Sequence, residues 1–326
     1  MNDMLLQPFS SEEVKRVLDQ MYPYKSPGLD VLISKCDNPG SINDFRPISL
    51  CNVKYKLASK AIANRIKLLI NVIISVSQSA FVPGRLISDN VLMAYKLNHY
   101  LAHKRWGSVA SHFGFIKPKR GLRQGDPLSP YLLLFCAEAF SNMVSLEERK
   151  GNIQGTAVCH RAPRFSHILF ADDTLLFCQA TIEAMECVKE VLFRFERASG
   201  LKINMQKSAI VFNKNTDPQV RGILAGRIGV EVVNKHEKYL GLPTVGGRSK
   251  REMFVSLKNR AWSKMQGWGA KRLSQAGRMV LIKVVAQAIP TYIMGCFLIP
   301  DSLLHALESM SAEFFGSMRI SRVYTG

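Results

Sequence analysis

The chain has 326 residues, with 44 lysines and arginines against 25 aspartates and glutamates, a formal net charge of +19 and 47% apolar residues. That apolar fraction supports a substantial core and excludes a disordered basic tail, a collagen-like repeat and a disulfide-stapled miniprotein, while the length suits about two domains. Self-repulsion of so much positive charge destabilises a compact state unless an anionic partner relieves it, with nucleic acid the first candidate and a membrane surface the second.

In chain order, Ser10 to Glu13 reads as a capping-box start to an amphipathic helix with Val14, Val17, Leu18 and Met21 on one face. A turn-rich basic loop, Lys25 to Asp30, follows. Residues 52–74 read as helix, with Leu57, Ile62, Ile66 and Leu69 near helical spacing, and a second helix over about 86–104 follows the break at Pro83-Gly84. Gly114 to Pro130 is a Gly/Pro/basic loop. Residues 130–146 form a helix that is apolar on most sides and is expected at the centre of a core. The period then changes. Phe165 to Phe170 and Thr174 to Cys178 are β-rich runs around Ala171-Asp172-Asp173, predicting a hairpin with two carboxylates at its tip. Thr181 caps a helix carrying Met185, Val188, Leu192 and Phe195, which Gly200 ends in a left-handed cap. Short strands near 201–204 and 208–213 and a helical tail from 254 to about 315 complete an α+β chain.

The charge is unevenly placed. Residues 1–50 sum to −2, so the remainder carries about +21, and no acidic residue lies between Asp89 and Asp126. From Lys250 to Lys283, Glu252 stands alone among nine basic residues, with Trp262 and Trp268 interleaved; the tryptophans read as core rather than as base-stacking groups. Such stretches suit phosphate contacts, the alternative being a solvated helix face. Seven cysteines without CxxC spacing are expected as reduced, mostly buried thiols. The start is too polar for a signal peptide and the most apolar run, Tyr131 to Val144, is too short to span a bilayer, so a soluble intracellular protein with no membrane partner is expected, its compartment open.

Adjacent carboxylates on a tight turn between apolar strands need a counter-charge, because neither is cheaply buried and ionised beside the other. A divalent cation supplies it. Mg²⁺ takes one or two carboxylates plus substrate phosphates, and two-ion sites clamp the attacking and leaving oxygens of phosphoryl transfer. The alternative is a solvated hairpin turn.

The hairpin belongs to an ordered series: Asp44-Phe45-Arg46-Pro47-Ile48-Ser49-Leu50, then Gln78-Ser79-Ala80-Phe81-Val82-Pro83-Gly84-Arg85, Gly121-Leu122-Arg123-Gln124-Gly125-Asp126-Pro127-Leu128-Ser129-Pro130, Phe170-Ala171-Asp172-Asp173, Gly200-Leu201-Lys202-Ile203-Asn204 with Lys207-Ser208, and Tyr239-Leu240-Gly241-Leu242-Pro243. This series resembles the reverse transcriptases of non-LTR, LINE-type retrotransposons, most closely plant ones. The resemblance implies a right-hand polymerase-like fold, with residues 1–109 fingers-like, 110–245 palm-like and 246–326 a basic helical thumb-like region. It implies RNA-directed DNA polymerase activity on an RNA template, a DNA primer and dNTPs. Asp172 and Asp173 would hold two Mg²⁺ ions, and Arg123, Gln124 and Gly125 would pack on nucleotide and template, Gly125 by close backbone approach. Lys207 would neutralise the leaving pyrophosphate unless it is a surface lysine. Arg46 would contact template or triphosphate unless it pairs with Asp44. Tyr239, Leu240 and Gly241 would form a primer grip.

Two departures stand out. The family's first palm aspartate, which bridges the two ions, should fall between Trp106 and Gly121, where this chain has no acidic residue. Junctions near 30/31 and 109/110 read as internal deletions. The palm is therefore expected to be incomplete, with an unpaired sheet edge and a hole beside the hairpin, and polymerisation to fall by orders of magnitude. A non-catalytic nucleic-acid-binding remnant and a decayed retroelement product are the alternatives.

Overall fold

A computed structural model describes residues 5–21, 31–35, 38–103, 108–113, 116–118, 123–159, 161–233, 238–244, 248–269 and 273–316. They fall into two compact units. The first comprises Met1–Asn90 and Tyr100–Asn234, and the second Val91–His99 and Lys235–Gly326.

The first unit begins with α1 (Ser11–Gln20), where Ser10 and Glu13 form the expected reciprocal capping box. β1 (Val31–Ser34) pairs antiparallel with β2 (Phe45–Ile48). The junction expected at 30/31 borders residues 22–30, which lie outside the described residues. Asn52 caps α2 (Val53–Ile73) by accepting from the Tyr55 amide. Next come α3 (Ile87–His103), whose residues Val91–His99 belong to the second unit, β3 (Ser108–Phe113), β4 (Ile116–Pro118) and α4 (Ser129–Arg149). After them the chain forms β5 (Thr156–Ala157), β6 (Arg164–Phe165), β7 (His167–Phe170), β8 (Asp173–Gln179) and α5 (Ile182–Ser199), ended by Gly200 at φ 71°. β9 (Leu201–Ile203), β10 (Ala209–Phe212), α6 (Pro218–Ile228) and β11 (Glu231–Val232) complete the unit. Helix α6 is absent from the sequence reading; Asp217 caps it and Gly229, at φ 78°, ends it.

One sheet organises these elements, in the order β11-β10-β3-β8-β7. It is antiparallel except for the β10–β11 pair. Its main apolar cluster joins Leu169, Leu176 and Ile210 of the strands to Phe140 and Val144 of α4, Val188 and Phe195 of α5, and Leu224 of α6. Helix α4 also enters a second cluster through Leu134, with Ile70, Ile74 and Val82. Its apolarity does not mean burial all round. Leu132 and Leu146 are exposed while Leu134, Ala137, Phe140 and Val144 form the buried stripe.

The strand order corrects the expectation of a gap beside the hairpin. β3 lies between β10 and β8, with Val109 opposite Cys178, Ala110 opposite Phe177 and Ser111 opposite Leu176. Val109 and Ala110, expected to flank a deletion, are consecutive residues of one strand, buried at 0% and 1% exposure. Backbone pairing asks only for N–H and C=O groups, so an uncharged run of small and β-tolerant side chains fills the slot.

In the second unit, β12 (Lys238–Tyr239) and β13 (Leu242–Pro243) form a short antiparallel pair. α7 (Arg248–Gly269), α8 (Gln275–Leu281), a π-helical stretch Ile282–Ala286, α9 (Ala288–Met294) and α10 (Asp301–Gly316) follow. Val91, Leu242, Leu257, Ile293, Phe297 and Leu303 make its core. Trp262 is exposed at 37%, against the expectation of a core tryptophan, and the Trp268 side chain lies outside the described residues. No described helix is long and apolar enough to cross a membrane. Cys51 and Cys178 are buried and free as expected, whereas Cys159 is exposed; Cys36 is outside the described residues.

Candidate active site

The acidic hairpin forms as the residue pattern predicts. Phe170 and Asp173 make its last ladder pair, leaving Ala171 and Asp172 as the turn. Ala171 takes a left-handed φ of 54°, a conformation that residues with a Cβ rarely adopt. The strands below are apolar and buried, with Leu169, Leu175 and Phe177 each at no more than 1% exposure. The tip is thus fixed to the core through a short lever.

A loop between α2 and α3 braces this turn. Gln78 is fully buried, and its Oε1 accepts from the amides of Ala80 at 2.9 Å and Ala171 at 3.1 Å. Gln78 also bridges in parallel to Leu169, whose amide donates to the Ser77 carbonyl at 2.7 Å. Asn90 Nδ2 donates to the Leu169 carbonyl at 2.7 Å, and Ser79 Oγ donates to Asn90 Oδ1. Arg85 in turn holds the loop, its guanidinium donating to the carbonyls of Ile74, Ser75 and Gln78.

Both carboxyls at the tip sit above their ordinary range. Burial raises that of Asp172, opposed by its own backbone hydrogen bond and by the Lys207 charge. Burial first, and the Asp172 charge second, push Asp173 up to about 6. Desolvated like charges of this kind favour a proton or a cation as partner. Lys207, exposed on the short turn Met205–Lys207, supplies one positive charge to Asp172.

Asp172 faces a cleft of about 360 Å³ whose lining includes Phe81, Arg123, Gln124, Gly125 and Leu201. Four of the six residues predicted for catalysis and nucleotide contact from Arg123 to Lys207, namely Arg123, Gln124, Gly125 and Asp172, therefore share one cavity. Arg123 and Gln124 are exposed to it. Gly125 has φ 103°, and a Cβ there would lie 3.0 Å from the Ser49 carbonyl oxygen. The close approach that requires glycine is thus made by the chain after β2, where the Ser49 amide donates to the Gln124 carbonyl at 2.7 Å. Asp126 is buried and structural: it accepts from Tyr55 Oη at 3.0 Å and from the Leu128 amide at 3.1 Å at the start of α4. Arg46 is exposed on β2 and does not line the cleft. Its suggested partner Asp44 accepts instead from the amides of Gly40 and Ser41, and among the described residues the two form no salt bridge.

The expected third carboxylate is missing. β3 brings Ser108 to Phe113 alongside β8, with Phe113 opposite Thr174, and contributes no acidic residue. Among the described residues no three histidines, cysteines, aspartates or glutamates come together. Two adjacent desolvated carboxylates fit one divalent cation completed by phosphate oxygens and water. They do not fit a bridged pair of ions, so no two-ion step follows from this site.

Residues 88–244 match the family model described as reverse transcriptase (RNA-dependent DNA polymerase). That stretch is similar to a reverse transcriptase domain. The match spans α3 through β13 and so contains the acidic hairpin, the Arg123–Gly125 loop and Lys207. An uncharacterized mitochondrial protein of Arabidopsis thaliana is 49% identical over 61 residues, 19% of this chain and 50% of that protein. An uncharacterized 149 kDa protein of a Xenopus laevis transposon is 25% identical over 337 residues, 84% of this chain and 24% of that protein. The chain thus spans half or less of the length of these relatives.

Tyr239, Leu240 and Gly241, near the end of the matched region, lie in the second unit. They form the β12–β13 turn, with Leu240 at φ 51° and Gly241 at φ 80°. Tyr239 is buried and Tyr292 Oη donates to the Leu240 carbonyl at 2.8 Å, so this turn is internally fixed. The residue pattern gave no role to Gln78, Phe81 or Arg85 of the Gln78–Arg85 block. The signal in the sequence is a glutamine and an arginine either side of the Pro83-Gly84 break; the structure adds that Gln78 is buried and Arg85 half-buried.

Proposed function

We propose that this chain is a plant LINE-type reverse transcriptase domain that binds template, primer and nucleotide but supports nucleotidyl transfer weakly or not at all. The observation that carries the reading is β3. It occupies the place beside the acidic hairpin yet supplies no carboxylate, while the neighbouring cleft keeps Arg123, Gln124 and Asp172. Arg123 offers a fork of donors for phosphate, Gln124 can hydrogen-bond base or sugar, and Lys207 offsets charge near Asp172. Asp172 and Asp173 would hold one Mg²⁺, which supplies charge neutralisation of bound phosphates. In this reading residues 1–109 act as fingers, 110–245 as palm with Tyr239, Leu240 and Gly241 as primer grip, and 246–326 with its exposed Trp262 as thumb.

Primer extension tests the catalytic half. Purified protein with Mg²⁺, an RNA template, a DNA primer and dNTPs is expected to give no product, and robust extension that Asp172→Asn abolishes would refute it. Titration against RNA–DNA hybrid at several salt concentrations tests the binding half. Affinity should fall linearly in log–log form with a slope of roughly −0.7 to −0.9 per neutralised phosphate, and salt-insensitive or absent binding overturns it. A protein that neither binds nor melts cooperatively would be a decayed product.

A further inference from the structure

We infer that Gln78 is a positioning residue: its buried side-chain amide holds Ala171 in the left-handed conformation that sets Asp172 and Asp173 at the hairpin tip. The inference rests on the reading of that tip as a cation site.

Three observations support it. First, the turn's backbone is unfavourable for its sequence, because Ala171 has φ 54° and a Cβ. Second, Gln78 meets that turn directly. Its Oε1 accepts from the Ala171 amide at 3.1 Å, and its Nε2 reaches the Ala171 carbonyl at 3.5 Å, so one carboxamide spans both backbone groups of the strained residue. Third, Gln78 is itself immobilised. It is 0% exposed, its Oε1 also takes the Ala80 amide, and its own carbonyl is held by Arg85.

The consequence is geometric. Without a partner, the Ala171 amide would lose a part-buried hydrogen bond and the turn would relax towards negative φ, rotating the following peptide and with it Asp172. Strand β7 would stay in place, since Leu169 keeps its bonds to Ser77, Ser79 and Asn90. Gln78 therefore acts on the carboxylates through the backbone of residue 171 and touches neither of them.

The test uses Mn²⁺ alone as the probe, followed by electron paramagnetic resonance, on the wild type and on Asp172→Asn, Gln78→Met and Gln78→Met/Ala171→Gly. Methionine keeps the volume of glutamine and removes the hydrogen bonds. Gln78→Met should weaken Mn²⁺ binding about tenfold, ~1.4 kcal/mol. Adding Ala171→Gly should restore it to within about threefold, because glycine adopts the left-handed turn without a brace. A merely structural role for Gln78 would not be rescued by glycine at a turn. Unchanged Mn²⁺ affinity in Gln78→Met, with binding lost in Asp172→Asn, overturns the inference. If Asp172→Asn binds Mn²⁺ as the wild type does, the cation reading fails instead, and amide exchange decides the role of Gln78. In the wild-type protein the Ala171 amide should exchange much more slowly than that of Asp172; fast exchange at Ala171 refutes the brace, whether or not the Gln78 variants fold.

Discussion

His167 opens strand β7 and sits in a buried polar chain beneath the hairpin. Its Nε2 lies 2.7 Å from Ser141 Oγ and its Nδ1 lies 3.0 Å from Ser166 Oγ. Ser166 donates to Glu148 at 2.6 Å, so its oxygen is left to accept from Nδ1–H, and Ser141 donates to Nε2. This satisfies a neutral ring and offers no anion in direct contact to a charged one. Burial pushes the His167 pKa down to about 4 from an ordinary 6.5. The unfolded chain therefore binds the proton more readily, and stability is lost as pH falls through 6.5 towards 4. The full loss below both values is about 3 kcal/mol, and about 2 kcal/mol is already lost at pH 5. The raised carboxyls of Asp172 and Asp173 act in the opposite sense, gaining stability from protonation over part of the same range. The wild-type curve alone is thus ambiguous, and the difference from His167→Gln isolates the ring. Urea unfolding at about pH 7.5 and pH 5, read as midpoint times slope, should show the wild type losing about 2 kcal/mol more than the variant on acidification. Parallel losses in the two proteins would refute the reasoning.

Three further outcomes follow from particular contacts. Gly125→Ala places a Cβ 3.0 Å from the Ser49 carbonyl at φ 103°, so it should destabilise by about 1–3 kcal/mol and lower nucleotide affinity, both measurable on one preparation by urea titration and fluorescence. Glu147, 4% exposed, is held well below the usual carboxylate range, at about 2, by the Asn152 side chain first and by Lys150 and Arg194. Glu147→Gln should cost about 1–3 kcal/mol in chemical denaturation near neutral pH, with no change in Mn²⁺ affinity. Arg65 clasps the amino-terminal segment, pairing with Glu13 at 2.7 Å and donating to the Pro8 carbonyl at 3.1 Å, so Arg65→Ala should expose residues before α1 to limited proteolysis while the remainder of the chain resists.

Much of the first unit was legible because its signals are local. The capping box at Ser10, the cap at Thr181 and the left-handed stop at Gly200 need only neighbours, and each forms as read. The hairpin around Ala171 is likewise encoded by apolar alternation on both sides of a polar turn. Helix α6 was missed although Asp217-Pro218 is a good start signal, because its apolar pattern is weak and two glycines, Gly222 and Gly226, interrupt it. Of the predicted site, the sequence supplied the residue types, but it could not show that the Ser49 carbonyl also comes close enough at 125 to require glycine.

By itself the sequence determined which acids exist and which do not: Asp172 and Asp173 occur together, and nothing between Asp89 and Asp126 can join them. It could not determine what takes the empty place. The tertiary structure decided that, inserting Ser108–Phe113 between β8 and β10, because a sheet interior demands backbone partners and is indifferent to whether they carry a carboxylate. It also decided the role of Gln78, since a contact across 93 positions is set by how two segments pack and leaves no periodic trace in either. Fold and chemistry separate at β3: backbone hydrogen bonding completes the sheet, and the side chains that completed it leave the hairpin tip with two carboxylates.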